Sequence, residues 1–149
     1  MRIDIIQEKK YKRLDNSKLK YIAKKTLSME GAPRGAALTI TLVSDGAIKK
    51  LNKKFKDENI ATDVLAFSMT EGAAVKGQKG YLGDVVISVD TAARQAKAYN
   101  LSFEKEIYLY VIHGILHLLG YEDVAPTQRS SMQTRQEYIL RFLCNDKVS

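Results

Sequence analysis

"IYLYVIHGILHLLGYED" (residues 107–123) decides how the rest of the chain is read. Its first thirteen residues, Ile107 to Leu119, contain no Asp, Glu, Lys or Arg, and they hold both histidines of the chain, His113 and His117. A helix that is apolar nearly all round belongs inside a core. Thirteen residues fall short of the ~20 that cross a bilayer, so the run predicts a buried central helix and no membrane span. Ser102 is placed to cap its start, Glu104 and Glu106 sit in a first turn where the helix dipole favours carboxylates, and Gly120 ends it. Gly114 is the anomaly. A glycine inside a helix costs about 1 kcal/mol relative to alanine. Its presence predicts that something approaches this helix face closely, either a ligand or a tightly packed neighbour.

Residues four apart on a helix lie on one face. Two imidazoles so placed can reach one metal ion, as in H-x-x-x-H zinc sites. The alternative is a pair of core histidines bonded to backbone carbonyls. The spacing of the only two histidines in the chain, and the need of buried imidazoles for polar partners, favour a shared metal. Such a site needs a third ligand. Gly120 lets the chain turn back, and three extended residues cover roughly 10 Å, so Asp123 can return to the histidines. The frame has the spacing of the H-E-x-x-H-x-x-G-x-x-H metalloprotease motif, with a carboxylate, an ordinary zinc ligand, in the last place. Gly114 stands where that motif needs its general-base glutamate, which argues against a peptidase.

Outward from this helix, "RIDIIQ" (2–7), "AALTITLVS" (36–44), "TDVLAFSM" (62–69) and "DVVISVD" (84–90) predict four strands. One helix is predicted from Asp15 to Glu30, where Leu19, Ile22, Ala23, Thr26 and Leu27 recur at helical spacing before Gly31. A second follows a cap at Ser44 or Asp45, with Ile48, Leu51 and Phe55 as its apolar stripe and Lys49, Lys50, Lys53, Lys54 and Lys56 on its other faces. "VDTAARQAKAYN" (89–100) reads as helical, ending at Asn100, and a last helix runs from Thr127 to Leu143 with Met132, Tyr138, Ile139 and Phe142 at apolar positions. "TEGAAVKGQKGY" (70–81) reads as a mobile loop. About four strands and five helices predict an α+β fold, one domain over residues 1–149, with helices packed on a mixed sheet.

The composition agrees. With 149 residues, 45% apolar and 28% charged, the chain can bury a core and is not of the disordered class. The single Cys144 excludes an intramolecular disulfide, fits a reducing compartment, and falls on the apolar side of the last helix as a buried structural thiol. "MRIDIIQEKKYKR" turns charged too early for a secretory segment, so the expected location is cytoplasmic. The net charge of +7, from 24 Lys+Arg against 17 Asp+Glu, favours polyanion partners through counterion release.

"HGILHLLGYED" (113–123) resembles the H-G-x-L-H-L-x-G-Y-D-H signature of the YbeY family of bacterial endoribonucleases. "LNKKF" (51–55), "TDVLAF" (62–67), "LGDVVIS" (82–88), "AARQA" (92–96) and "MQTRQEYIL" (132–140) resemble the family's other blocks in the same order. The resemblance implies a metal-dependent, single-strand-specific endoribonuclease acting in ribosomal RNA maturation and ribosome quality control. It implies one divalent metal ion, zinc first, held by His113, His117 and Asp123, with His113, His117 and Lys56 catalytic. Lys53, Lys54 and Lys56 are expected to hold the RNA backbone. The expected partners are single-stranded or ribosomal RNA and the small ribosomal subunit, with no membrane and no DNA. Three positions depart from the family pattern: Asp123 for its third histidine, Lys56 for an arginine linked to activity, and Ala66 for a serine. The carboxylate moves the site toward harder metals, and the lysine keeps a cation but loses the bidentate fork. A non-catalytic, ribosome-associated RNA-binding assembly factor with a degenerate metal site is the alternative. Asp63 and Asp84 are candidates to orient the ligands, and are equally ordinary strand-edge or turn residues.

Overall fold

The computed structural model describes residues 1–55, the backbone of Lys56, and residues 63–69 and 80–144. Along them run β1 (Arg2–Gln7), α1 (Asn16–Met29), β2 (Ala37–Val43), α2 (Asp45–Lys56), β3 (Val64–Ser68), β4 (Tyr81–Ser88), α3 (Val89–Ala98), α4 (Phe103–Leu118) and α5 (Pro126–Cys144). The sheet order is β1-β2-β4-β3, with β1, β2 and β4 parallel and β3 antiparallel to β4. This is the α+β fold with a mixed sheet that the sequence pattern predicts. Of the loop read over 70–81, residues 70–79 lie outside the described residues, and Tyr81 already opens β4. No helix among the described residues is long and apolar enough to cross a membrane.

Strand side chains alternate between faces, and the sheet thereby divides the helices. On one face Leu38, Ile40 and Leu42 of β2, with Val85 and Ile87 of β4, join the core formed with α1, α4 and α5. On the other, Val43, Leu65 and Val86 meet Ile48 of α2 in a smaller cluster. The hub is α4, which packs against α1, α3 and α5 and also against β3 and β4. Its Ile107, Val111, Ile112, Ile115 and Leu116 are fully buried, and each such side chain contributes about 1.5–3 kcal/mol. Gly114 has its explanation here: a Cβ at this position would run into the side chain of Val85 in β4. The close neighbour is the sheet itself.

The structure sharpens or changes several local expectations. β4 stops at Ser88 instead of running to Asp90, because the Ser88 hydroxyl accepts the Thr91 N–H at 3.1 Å and starts α3 without a loop. Ser44 caps α2 through the Ala47 N–H, whereas the Asp45 carboxylate ties α2 to α3 by accepting from Ser88, Thr91 and Arg94 at 2.6, 2.8 and 2.6 Å. Glu104 pairs with Arg13 on the surface, but Glu106 is buried. On α5 the buried positions are Met132, Ile139 and Leu143. Tyr138 and Phe142 lie on the flank of that helix, 52% and 61% exposed and stacked on each other. Phe55 is exposed too, edge-on to Phe67, and Cys144 is only half-buried.

Candidate metal centre

Two histidines one turn apart on α4 face the edge strand β3 across a cleft. Their rings lie 4.7 Å apart, centroid to centroid. Both are half-buried, against the expectation of full burial, because they line a cleft of about 360 Å³ whose other wall is β3, through Val64, Ala66 and Ser68.

The turn after α4 brings the third group in. Gly120 adopts φ +105°, a left-handed value that glycine accepts readily. The Gly120 N–H then bonds the His117 carbonyl at 3.0 Å and the Tyr121 N–H bonds the Leu116 carbonyl at 3.0 Å, the two bonds of a Schellman stop. This reverses the chain and sets Asp123 over the cleft, its Oδ2 at 3.3 Å from His117 Nε2 and 3.9 Å from His113 Nε2.

The far side of each ring is committed. His117 Nδ1 lies 3.1 Å from the Tyr121 carbonyl oxygen. A carbonyl only accepts, so Nδ1 carries the proton and Nε2 presents its lone pair when the ring is neutral. His113 Nδ1 stands at 2.8 Å from Gln136 Oε1 in the same relation. One ligand atom from each of His113, His117 and Asp123 falls within 4.8 Å of the others. Ligands at zinc distances of 2.0–2.2 Å around a tetrahedron sit roughly 3.3–3.5 Å apart, so the three residues fit one small divalent ion. The outer partners of the rings are an amide and a peptide carbonyl, and Asp123 is the carboxylate grouped with the two imidazoles.

Further out, Glu30 at the C-cap of α1 accepts the Tyr121 hydroxyl through Oε1 and the Arg135 guanidinium through Oε2, both at 2.6 Å. That hydrogen bond, then burial, hold the Tyr121 phenol above its usual pKa, so it stays a donor. Arg129 donates to the Val124 carbonyl at 2.6 Å and steadies the turn just beyond Asp123. Sequence reasoning singles out none of Gln136, Tyr121, Glu30 and Arg135. Tyr121, Arg135 and Gln136 carry a signal only as members of the two quoted blocks, and Glu30 carries none.

The structure brings His113, His117 and Asp123 together and keeps Lys53 and Lys54 apart from them. Lys53 and Lys54 are exposed on α2, beyond the opposite face of the sheet, and line no part of the cleft. The side chain of Lys56 lies outside the described residues. Asp63 and Ala66 line the cleft, whereas Asp84 alternates away from α4 and accepts the Tyr81 hydroxyl at 2.9 Å.

A family model described as Endoribonuclease YbeY matches residues 3–144. The chain belongs to the YbeY family. Among YbeY relatives, the endoribonuclease of Moorella thermoacetica is 38% identical over 130 residues, covering 83% of each chain. That of Syntrophotalea carbinolica is 36% identical over 136 residues, covering 90% of each. That of Salinibacter ruber is 35% identical over 130 residues, covering 85% of this chain and 82% of its own. The solution structure of a Thermotoga maritima protein superposes with a TM-score of 0.68 at 29% identity, covering 97% of this chain and 90% of that one. The family match thus runs from β1 to the end of α5.

Proposed function

We propose that this protein is a metal-dependent endoribonuclease that cuts single-stranded RNA, acting in ribosomal RNA maturation and ribosome quality control. The reading rests on one observation above all: His113, His117 and Asp123 converge on a cleft in a chain whose relatives are named endoribonucleases. His113 and His117 hold one divalent ion through their Nε2 atoms, with zinc the first candidate, and Asp123 completes the ligand set. When bound, the ion supplies positive charge that polarises a phosphate ester. The Nδ1 bonds to Gln136 and Tyr121 hold the imidazoles in the orientation that this needs. Asp123 offsets one charge of a divalent ion, so the ligand set with its ion stays cationic and attracts a phosphodiester. Val64 and Ala66 form an apolar part of the facing wall.

Lys53, Lys54 and Lys56 hold the RNA backbone in this reading, supported by the exposed lysines of α2 and the net charge of +7. The partners are single-stranded and ribosomal RNA and the small ribosomal subunit, not DNA, and the location is the cytoplasm. Elemental mass spectrometry of the native protein and of Asp123→Ala tests the ligand set. Chelator-sensitive cleavage of single-stranded RNA, abolished in His117→Ala, tests the activity. Asp123 in place of the family's third histidine favours a second reading, a ribosome-associated RNA-binding factor without turnover. Purified protein that binds RNA but leaves it intact with every divalent metal supports that reading and overturns the first.

A further inference from the structure

We infer that Glu30, at the C-cap of a helix that contributes no ligand, is a positioning residue for the metal centre and sets its affinity. The inference rests on the metal-binding reading above. The Glu30 side chain is 8% exposed and receives two 2.6 Å hydrogen bonds, one on each carboxylate oxygen. Each bond leads to a different histidine.

Through Oε1 it holds the Tyr121 hydroxyl. The carbonyl of Tyr121 receives His117 Nδ1, and Asp123 follows two residues later in the same turn. Through Oε2 it holds Arg135, whose guanidinium also reaches the Met29 carbonyl at 3.4 Å, pinning α5 against the end of α1. The next residue on α5 is Gln136, the partner of His113 Nδ1. One largely hidden carboxylate therefore clamps both elements that orient the imidazoles. A charged, doubly bonded anchor resists displacement more than a neutral contact does. A loss of outer partners commonly lowers metal affinity 10- to 100-fold.

The test is zinc titration in competition with a chromophoric chelator, paired with cobalt(II) absorption spectra. It compares wild type, Glu30→Gln, Tyr121→Phe and the control Glu137→Gln, an exposed carboxylate on α5. Tyr121→Phe keeps the ring and the carbonyl and removes only the hydroxyl that reaches Glu30. The inference expects zinc affinity to fall about tenfold in Tyr121→Phe and at least as far in Glu30→Gln. It also expects altered cobalt bands in both variants and no change in the control. A purely structural role would lower the melting temperature of the metal-free protein and leave affinity and spectra as in wild type. That result overturns the inference while the metal centre stands. Wild type that takes up neither zinc nor cobalt overturns the metal-binding reading and this inference with it.

Discussion

Gly114→Ala separates local helix preference from tertiary fit, and the two predict opposite signs. In an isolated helix the change stabilises by about 1 kcal/mol. In the fold, the new Cβ meets Val85 Cγ1 in hard overlap and comes within 3.0 Å of Cγ2 and 3.2 Å of Cβ. Val85 cannot yield easily. It is β-branched and stiff about χ1, is 0% exposed, and belongs to β4, which is paired on both sides by β2 and β3. Overpacking of this kind costs about 1–3 kcal/mol, and the absence of room puts it near the top of that range. After subtracting the helix gain, Gly114→Ala should destabilise by about 1–2 kcal/mol. Val85→Ala alone leaves a cavity and should cost about 2–3 kcal/mol. The double variant places the new methyl group of position 114 in that cavity, so it should be more stable than the sum of the singles by about 1–2 kcal/mol. The chain has no tryptophan, so urea unfolding is followed by circular dichroism in the far ultraviolet. Gly114→Ala as stable as wild type, or a strictly additive cycle, would refute the argument that Val85 dictates this glycine.

Three further outcomes follow from the same geometry. Gln136→Leu removes the partner of His113 Nδ1 and should weaken zinc binding about tenfold, read by chelator competition; unchanged affinity would mean that His113 needs no such orientation. Burial pushes the Asp45 carboxyl up, but hydrogen bonds from Arg94, Ser88 and Thr91, with the Arg94 charge, outweigh it and hold its pKa below the usual value. A lowered folded-state pKa means that the carboxylate's stabilisation is whole above about pH 4 and is lost as pH falls through the folded value. The stability gap between wild type and Asp45→Asn should therefore stay constant at neutral pH and shrink below about pH 4, and a gap that persists in acid counts against the assignment. Lys53→Ala with Lys54→Ala should weaken RNA binding across sequences. Each lost phosphate contact should lower the slope of log affinity against log salt by about 0.7 for a single strand, and an unchanged slope would take these lysines out of the interface.

Much of this was legible because it is local. The uncharged run at 107–119 predicted the central helix, and the interval between His113 and His117, with Gly120 as a stop, predicted a turn that delivers Asp123. What periodicity does not carry is which face of a sheet a helix will cover. The apolar stripe of α2 was readable, yet nothing in it said that Lys53 and Lys54 would sit across the sheet from the histidines. Nor does apolar character alone fix burial. Tyr138 and Phe142 looked like core positions, but the helix turns Met132, Ile139 and Leu143 inward and leaves those rings on its flank. Glu30 was invisible for another reason. It sits 91 and 105 residues from its two partners, and a lone carboxylate near a helix end usually marks nothing.

The distances along the chain have a consequence for assembly. His113 and Gln136 are 23 residues apart, and His117 and Tyr121 are four apart. Both histidines, Asp123 and the groups that orient the rings therefore belong to one helical hairpin, α4–α5, whose closure costs little chain entropy. The opposite wall of the cleft comes from β3, roughly 50 residues before the histidines in sequence, so the cleft itself closes only through a contact of longer separation. Contacts of low sequence separation form readily and non-local ones form late. The ligands thus belong to the early, short-range part of the fold, and the groove that would admit a substrate belongs to the late part. Glu30 is a long-range tie of another kind, fastening the end of α1 to this hairpin.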